Sequence, residues 1–337
     1  MCSASGKLLL FRFLALAGLL FLFAGIAVFV KRNMFMPEVK KKDTVVKVPH
    51  RQESEQLSTL KDGNGIYHRV VDEFPIDMEG GHILLPVNVN GEDHKFVLDT
   101  GCSHVILDIS LKHNLGRHVT EGEGNSIISP QRSQLDLFEG PKVLRIGSIN
   151  LMGDVGCKDL KQFDFKSDYK GIVGMSVLKY FTVQLDFDKG KITFLEIEEG
   201  QKLPLPHQIG LFYKYGSIIP HVRARIFDDI NVEFMIDTGL PASGFLEDRI
   251  FEEVLLKEGA VLLDAYLEVP SGGTPVRAIA TDLSIEGLRY KNIGLFEQKF
   301  SSLGMDFLER HSVVVLDFPH NRLYLQFKNH NQSAQKH

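Results

Sequence analysis

The six residues Phe96–Gly101 (FVLDTG) set the architecture of this 337-residue chain, because they recur almost unchanged as Phe234–Gly239 (FMIDTG). Each copy is a run of three apolar residues that ends in Asp-Thr-Gly. A lone Asp-Thr-Gly arises by chance in roughly one chain in twenty of this length at average residue usage. Two copies, each behind an apolar run, indicate an internal duplication, and a duplication constrains the whole fold.

The residues downstream of each copy repeat in the same order and at similar spacing. An apolar segment with a central glycine comes first, then Leu-Asp-Phe, then a basic residue that opens a short apolar strand. The matching segments are Gly171–Leu178 and Ser301–Leu308, Leu185–Phe187 and Leu316–Phe318, and Lys191–Phe194 and Arg322–Leu325. The Asp and the central glycine are 75 residues apart in the first copy and 67 in the second. Two units of about 130 residues, 66–200 and 201–328, therefore form the globular part.

Each unit has the residue pattern of a β-rich lobe. Apolar residues partly alternate over His82–Val89 and Ser217–Ile226, and Asn90-Gly91 is a strong hairpin-turn signal. Further hairpin turns are predicted at Asp188–Gly190 and Pro319–Asn321. Helix signals cover only Gly174–Tyr180, Gly304–His311 and Glu247–Glu258, the last with Ile250, Val254 and Leu255 on one face. The predicted class is all-β with a few short helices.

The repeated loops contain the residue types that amide hydrolysis by water requires. Two carboxylates about 3 Å apart cannot both ionise, so one acts as the base while the other keeps its proton and acts as the acid. Asp99 and Asp237 are the candidates for this pair. The glycines that follow, Gly101 and Gly239, allow a tight turn and a close approach of the two loops. The threonines between them, Thr100 and Thr238, offer hydroxyls that can bond across to the opposing loop.

These motifs resemble the retroviral-type aspartic proteases (retropepsins) and, more distantly, the pepsin-like enzymes. The resemblance covers both units, about 260 residues, and implies a two-lobed, pseudo-twofold acid protease fold with barrel-like lobes and a cleft between them. It implies Asp99 and Asp237 as catalytic residues and Gly174 and Gly304 as the glycines of the psi-shaped loops. The resemblance also implies that the fused pair of lobes acts as a monomer on a peptide or protein substrate, without cofactor or metal.

The resemblance is incomplete in two places. Retropepsins have a small residue after Asp-Thr-Gly; the first loop continues with Cys102-Ser103, but the second continues with Leu240-Pro241. The family's flaps fall on Gly122–Ser129 and on Ser271–Thr274, and neither carries the tyrosine of a pepsin flap. Two alternatives to a protease therefore stay open: a non-catalytic peptide-binding protein of the same fold, and a membrane-anchored scaffold.

The amino terminus predicts a membrane anchor. Phe13–Val30 is an uncharged run of 18 residues, and a helix of that length spans roughly 27 Å, close to the thickness of a bilayer core. A cleaved signal peptide is the rival interpretation, but the run does not end in small residues. The predicted order is an anchor at 1–33, a polar tether at 34–65, the two lobes, and a tail at 329–337. The domain is expected outside the cytoplasm, although the basic residues after the run favour the opposite orientation.

Composition excludes several other classes of protein. A net charge of -5 with interspersed acids and bases is not that of a nucleic-acid-binding protein. Two cysteines of the lobes, Cys102 and Cys157, are either a disulfide or two small buried thiols. Cys102 beside the site is expected to pack rather than to act as a nucleophile. The histidines His104, His113 and His118 lack a metal-ligand spacing, so no metal site is predicted.

Overall fold

The structure, a computed structural model, describes residues 59–61, 67–126, 133–162, 168–197, 203–269 and 272–328, all within one compact unit. The strands of the first half are β1 (Thr59–Lys61), β2 (Tyr67–Pro75), β3 (Asp77–Glu79), β4 (His82–Val89), β5 (Glu92–Leu98), β6 (Ile106–Asp108), β7 (His118–Ser126), β8 (Ser133–Glu139), β9 (Leu144–Ile146), β10 (Ile149–Asn150), β11 (Asp154–Lys158), β12 (Gly171–Val173), β13 (Thr182–Asp186) and β14 (Lys191–Ile197). Those of the second half are β15 (His207–Gly210), β16 (Phe212–Tyr213), β17 (Pro220–Ile226), β18 (Ile230–Ile236), β19 (Gly244–Glu247), β20 (Val261–Val269), β21 (Gly272–Ile285), β22 (Leu288–Gln298), β23 (Ser302–Leu303), β24 (His311–Asp317) and β25 (Arg322–Phe327).

Helices in the described residues are few and short, which confirms the predicted all-β class. The α-helices are α1 (Met175–Leu178), α2 (Asp248–Leu255) and α3 (Met305–Leu308), and 3-10 turns occupy Ile109–Asn114 and Leu160–Gln162. All three α-helices are shorter than the sequence predicts. The buried residues of α2 are Phe251 and Val254, whereas Ile250 and Leu255 are only partly buried.

The strands form three sheets, one within each lobe and one shared by both. The first lobe's sheet runs β10-β9-β4-β5-β12-β6-β11-β8-β7, with β3 added on β4. The second lobe's sheet runs β16-β17-β18-β23-β19-β22-β21-β20, and a further β17–β21 pairing closes it into a barrel. The shared sheet runs β1-β2-β14-β13-β24-β25-β15 and joins the lobes through β13 and β24. This is the two-lobed, pseudo-twofold arrangement predicted from the sequence.

Strand β4 shows how the sequence pattern becomes a core. Every second residue, from Ile83 to Val89, is at most 1% exposed, so one face of the strand is fully buried. The turn that follows has positive φ at both Asn90 (52°) and Gly91 (102°), as a two-residue hairpin turn requires. The predicted bounds of this strand and its turn are confirmed. Its counterpart β17 begins at Pro220 rather than at Ser217.

The shared sheet places the two copies around a pseudo-twofold axis. In the β13–β24 pairing Gln184 lies opposite Val315, and Leu185 opposite Val314. Because these strands are the equivalent segments of the duplicated unit, the antiparallel register is symmetric about the central pair. The copies therefore meet as two subunits of a dimer would.

Several predicted segments lie wholly or partly outside the described residues. The anchor and the tail are outside, and so are 127–129 and Ser271 of the predicted flaps; the rest of the flaps lies in β7 and β21. Within the predicted tether, β1 pairs with β2 and so extends the shared sheet. In the part of the chain that the structure describes, no helix has the length and apolar character needed to cross a membrane.

Candidate active site

Both Asp-Thr-Gly loops leave their lobes from the same arrangement of strands. In the first lobe β5 runs parallel to β12, and the Asp99 amide donates to the Val173 carbonyl at 3.1 Å. In the second lobe β18 runs parallel to β23, and the Asp237 amide donates to the Leu303 carbonyl at 2.9 Å. Since the preceding residues are buried, each Asp is held by a rigid core strand.

The two threonines connect the loops by four hydrogen bonds that cross between the lobes. The Thr100 hydroxyl accepts from the Thr238 amide at 3.0 Å and donates to the Ile236 carbonyl at 2.6 Å. The Thr238 hydroxyl accepts from the Thr100 amide at 3.0 Å and donates to the Leu98 carbonyl at 2.8 Å. Both side chains are at most 1% exposed. The network fixes the position of one loop relative to the other.

The glycines allow the two carboxyl groups to approach each other. A Cβ built on Gly101 would lie 2.6 Å from Asp237 Oδ1, and one on Gly239 would lie 2.6 Å from Asp99 Oδ1. Each carboxyl therefore packs directly against the glycine of the opposite lobe. Any larger residue at either position would displace the carboxyl that it faces.

Hydrogen bonds and burial determine the electrostatics of the pair. Asp99 Oδ1 accepts from the amides of Gly101 (2.8 Å) and Cys102 (3.0 Å), and Asp237 Oδ1 accepts from Gly239 (3.0 Å). Burial raises the pKa of Asp99 to about 6, although these amide bonds and a bond with Asp237 favour its charged form. Burial, followed by the charge of Asp99, raises the pKa of Asp237 well above its ordinary value. The pair therefore holds a proton over a range where isolated carboxyls would be ionised.

Gly174 and Gly304 occupy equivalent positions directly behind the two loops. A Cβ on Gly174 would lie 2.6 Å from the carbonyl oxygen of Cys102, and one on Gly304 would lie 2.5 Å from that of Leu240. The residue after each glycine donates its amide to the same carbonyl, Met175 to Cys102 at 2.7 Å and Met305 to Leu240 at 2.8 Å. Only glycine permits this approach between the loop and the helix start.

The unusual Leu240-Pro241 segment does not alter the backbone of the second loop. The Leu240 amide donates to the Asp237 carbonyl at 3.3 Å, as the Cys102 amide does to Asp99 at 3.4 Å. Pro241 packs against the β3–β4 turn of the first lobe, where a Cβ on Gly81 would lie 2.6 Å from Pro241 Cβ. This contact was not predicted from the sequence, in which the Gly80-Gly81 pair signals only a turn.

Cys102 and Cys157 are both free thiols, so the disulfide alternative is wrong. Cys102 is 2% exposed, and its thiol contacts the carbonyl oxygen of His104 at 3.3 Å. Burial and the nearby Asp99 raise the pKa of this thiol, which keeps it protonated and unreactive.

The three histidines make separate contacts. His104 bonds to Ser103, His113 to the Ser110 carbonyl, and His118 lies 3.7 Å from Asp136. No group of three metal-ligating side chains occurs among the residues that the structure describes.

Residues 85–176 match a family model described as aspartyl protease. The matched stretch contains the first Asp-Thr-Gly loop and Gly174 and ends before the second lobe. No curated protein matches the chain with significance. The match supports a protease function for this chain.

Proposed function

We propose that this chain is an aspartic endopeptidase in which Asp99 and Asp237 form one catalytic dyad. The observation that carries the proposal is the crossed packing of the two carboxyls against Gly239 and Gly101 of the opposite lobes. This packing brings two acidic groups into one buried site and holds a proton on the pair. A structural turn would not need two such groups together.

The reaction follows from the shared proton. The ionised carboxylate removes a proton from a water molecule, which attacks the peptide carbonyl carbon, while the protonated carboxyl donates its proton to the carbonyl oxygen. The resulting tetrahedral diol breaks its C–N bond as a proton passes to the leaving nitrogen. Asp99 suits the ionised role because two loop amides stabilise its charge, and Asp237 suits the protonated role.

The substrate in this proposal is an extended peptide or protein segment bound in the cleft between the lobes. Both carboxyls belong to a single chain, so a monomer suffices. No cofactor takes part, because the two carboxyls supply both the base and the acid.

Replacing each aspartate separately tests the dyad. In Asp99→Asn and in Asp237→Asn we expect cleavage of a peptide library to fall by about 10³-fold or more, because either change removes the base or the acid. Asp188→Asn, at an exposed turn of the same lobe as Asp99, is the matched control and should retain full activity. Circular dichroism of all three variants reports whether folding is retained.

The pseudoprotease alternative rests on the divergent Leu240-Pro241 segment. It predicts that the wild type binds library peptides without cleaving them, and that both Asn variants bind equally well. Full activity in either Asn variant would instead exclude a shared dyad.

We further propose that Phe13–Val30 anchors the chain in a membrane as a single pass, with the lobes outside the cytoplasm. The support is the length and apolar character of that run. Protease protection of the lobes in sealed membrane vesicles tests the orientation. Extraction of the full chain by alkaline carbonate would contradict the anchor.

A further inference from the structure

The second lobe exposes a patch of apolar side chains where α2 leads into β20. Leu256 is 88% exposed, Val261 56%, Leu262 57% and Leu263 36%. Gly259, at a φ of +97°, turns the chain between the first of these residues and the other three. We call these four residues the apolar loop. Large apolar side chains exposed this close together in sequence point to an interaction site.

The start of β20 is uncovered on both faces. Successive strand residues point to opposite faces, yet Val261, Leu262 and Leu263 are all exposed. The strand also lies at the end of its sheet, where β21 is its only partner among the described strands. At the equivalent edge strand β7, the described side chains are His118 and the 39% exposed Val119.

Three basic side chains near the apolar loop are paired with acidic ones. Lys257 bonds to Asp229, Arg289 lies 3.1 Å from Asp228, and Arg277 lies 2.6 Å from Glu252. Because these pairs neutralise one another and the exposed Glu258 inside the loop adds a negative charge, the surface does not favour an anionic partner. Its partner should be apolar.

We propose that the apolar loop docks the second lobe onto the lipid bilayer in which Phe13–Val30 is anchored. The inference rests on the proposed membrane anchor. Only 25 residues, 34–58, separate the predicted anchor from Thr59 of β1. A segment of 25 residues reaches at most about 90 Å even when fully extended, so the lobes stay within that distance of the membrane.

The small size of the apolar loop favours a bilayer over a second copy of the chain as its partner. A stable dimer buries about 800 Å² on each partner, which four side chains do not supply. A tethered domain has already lost most of its translational freedom, so a small apolar patch is enough to hold it on a surface. The unpaired edge of β20 keeps the contact shallow, at the headgroup level, because its backbone groups need water.

Site-specific fluorescence on the full chain tests the docking. A nitrobenzoxadiazole dye is attached to Leu256→Cys, in a background with Cys2→Ser and Cys157→Ser, in phosphatidylcholine nanodiscs that hold one copy each. A lipid-borne spin label should quench this dye several-fold more strongly than the same dye at Ile109→Cys, an exposed site in the first lobe. Adding Leu262→Ser to the Leu256→Cys chain should reduce the quenching.

Three further outcomes would contradict the proposal, and the experiment distinguishes them. Equal, weak quenching at both sites in chains that do enter nanodiscs would exclude docking but leave the anchor intact. Dye burial that appears only in nanodiscs with two copies would identify a second chain as the occupant. Failure of the chain to enter nanodiscs would remove the anchor and the docking together, while peptide cleavage in solution would still report on the proposed protease function.

Discussion

The first lobe continues its Asp-Thr-Gly loop with Cys102-Ser103, and the second continues its loop with Leu240-Pro241. Cys102 faces a small buried cluster of its own lobe, whereas Pro241 packs on the Gly81 turn of the opposite lobe. The backbone–backbone hydrogen bonds of the two loops are nonetheless equivalent. The two lobes thus share the same backbone arrangement where it holds the carboxyls. Their side chains differ where the lobes contact different neighbours.

The shared sheet shows the same difference. Asp186, at the end of β13, is satisfied inside its own lobe by the amide and ammonium of Lys189 at 2.9 and 3.0 Å. Its counterpart Asp317 accepts from the Thr182 hydroxyl of the other lobe at 2.9 Å and lies 2.7 Å from His320 Nδ1. Both aspartates therefore contact a side chain of the turn that follows them, and Asp317 in addition bonds to the opposite lobe.

The largest expected effect tests whether the two loops are supported alike. Gly174→Ala and Gly304→Ala should each lower the free energy of unfolding by about 4 kcal/mol or more, because the new methyl group meets backbone oxygen atoms that cannot move away. Urea denaturation measures both variants. Gly294→Ala, at a strand position with open space around it and no positive φ, controls for loss of glycine itself. A tolerated substitution in one lobe only would show that its loop is not packed as its counterpart is.

The threonine network should be nearly as sensitive, and equally so from both sides. Thr100→Val and Thr238→Val each leave a buried amide and a buried carbonyl without partners, for a loss of about 3 kcal/mol. Thr→Ser at the same positions keeps the hydroxyl and should cost much less. If Val and Ser variants unfold at the same denaturant concentration, the cross-lobe bonds do not contribute to stability.

The carboxyl pair should reduce stability at neutral pH. The folded state binds protons more tightly than the unfolded state, because the pKa of Asp99 is raised from 3.8 to about 6 and that of Asp237 is raised well above its ordinary value. The free energy of unfolding of the wild type therefore falls as pH rises from about 4 through 6. Asp99→Asn and Asp237→Asn should each gain about 2 kcal/mol at pH 7 and little at pH 4.

Thermal unfolding across this pH range measures the gain for each variant. Similar gains in the two variants are expected from a shared proton. A gain confined to one variant would mean that the other carboxyl is charged independently of its neighbour.

The smallest effect tests the contact that belongs to one lobe only. Gly81→Ala and Gly91→Ala both place a side chain at positive φ, but only Gly81 faces another residue, Pro241. We expect Gly81→Ala to cost about 1 kcal/mol more than Gly91→Ala. Adding Pro241→Gly should remove that excess, and an excess that persists would place its cause elsewhere.

Much of this protein could be predicted from local patterns in the sequence. The period of two over His82–Val89 and the Asn90-Gly91 turn predicted a strand and hairpin that the structure confirms, because strand alternation and positive φ are properties of neighbouring residues. The duplication predicted two lobes because equivalent sequences fold into equivalent units. The proximity of Asp99 and Asp237 followed from the resulting symmetry and not from any pattern around either residue alone.

The tertiary structure decided the features that depend on distant partners. Local periodicity placed Ile250 on the buried face of α2, but packing against the rest of the lobe buries Phe251. The Thr182–Asp317 bond and the Pro241–Gly81 contact each join residues more than a hundred positions apart. No local pattern specifies such pairs, because which neighbours a side chain meets is determined by how the sheets assemble. The sequence by itself determined two matching loops, and only the assembled lobes determined that their carboxyls pack against each other's glycines.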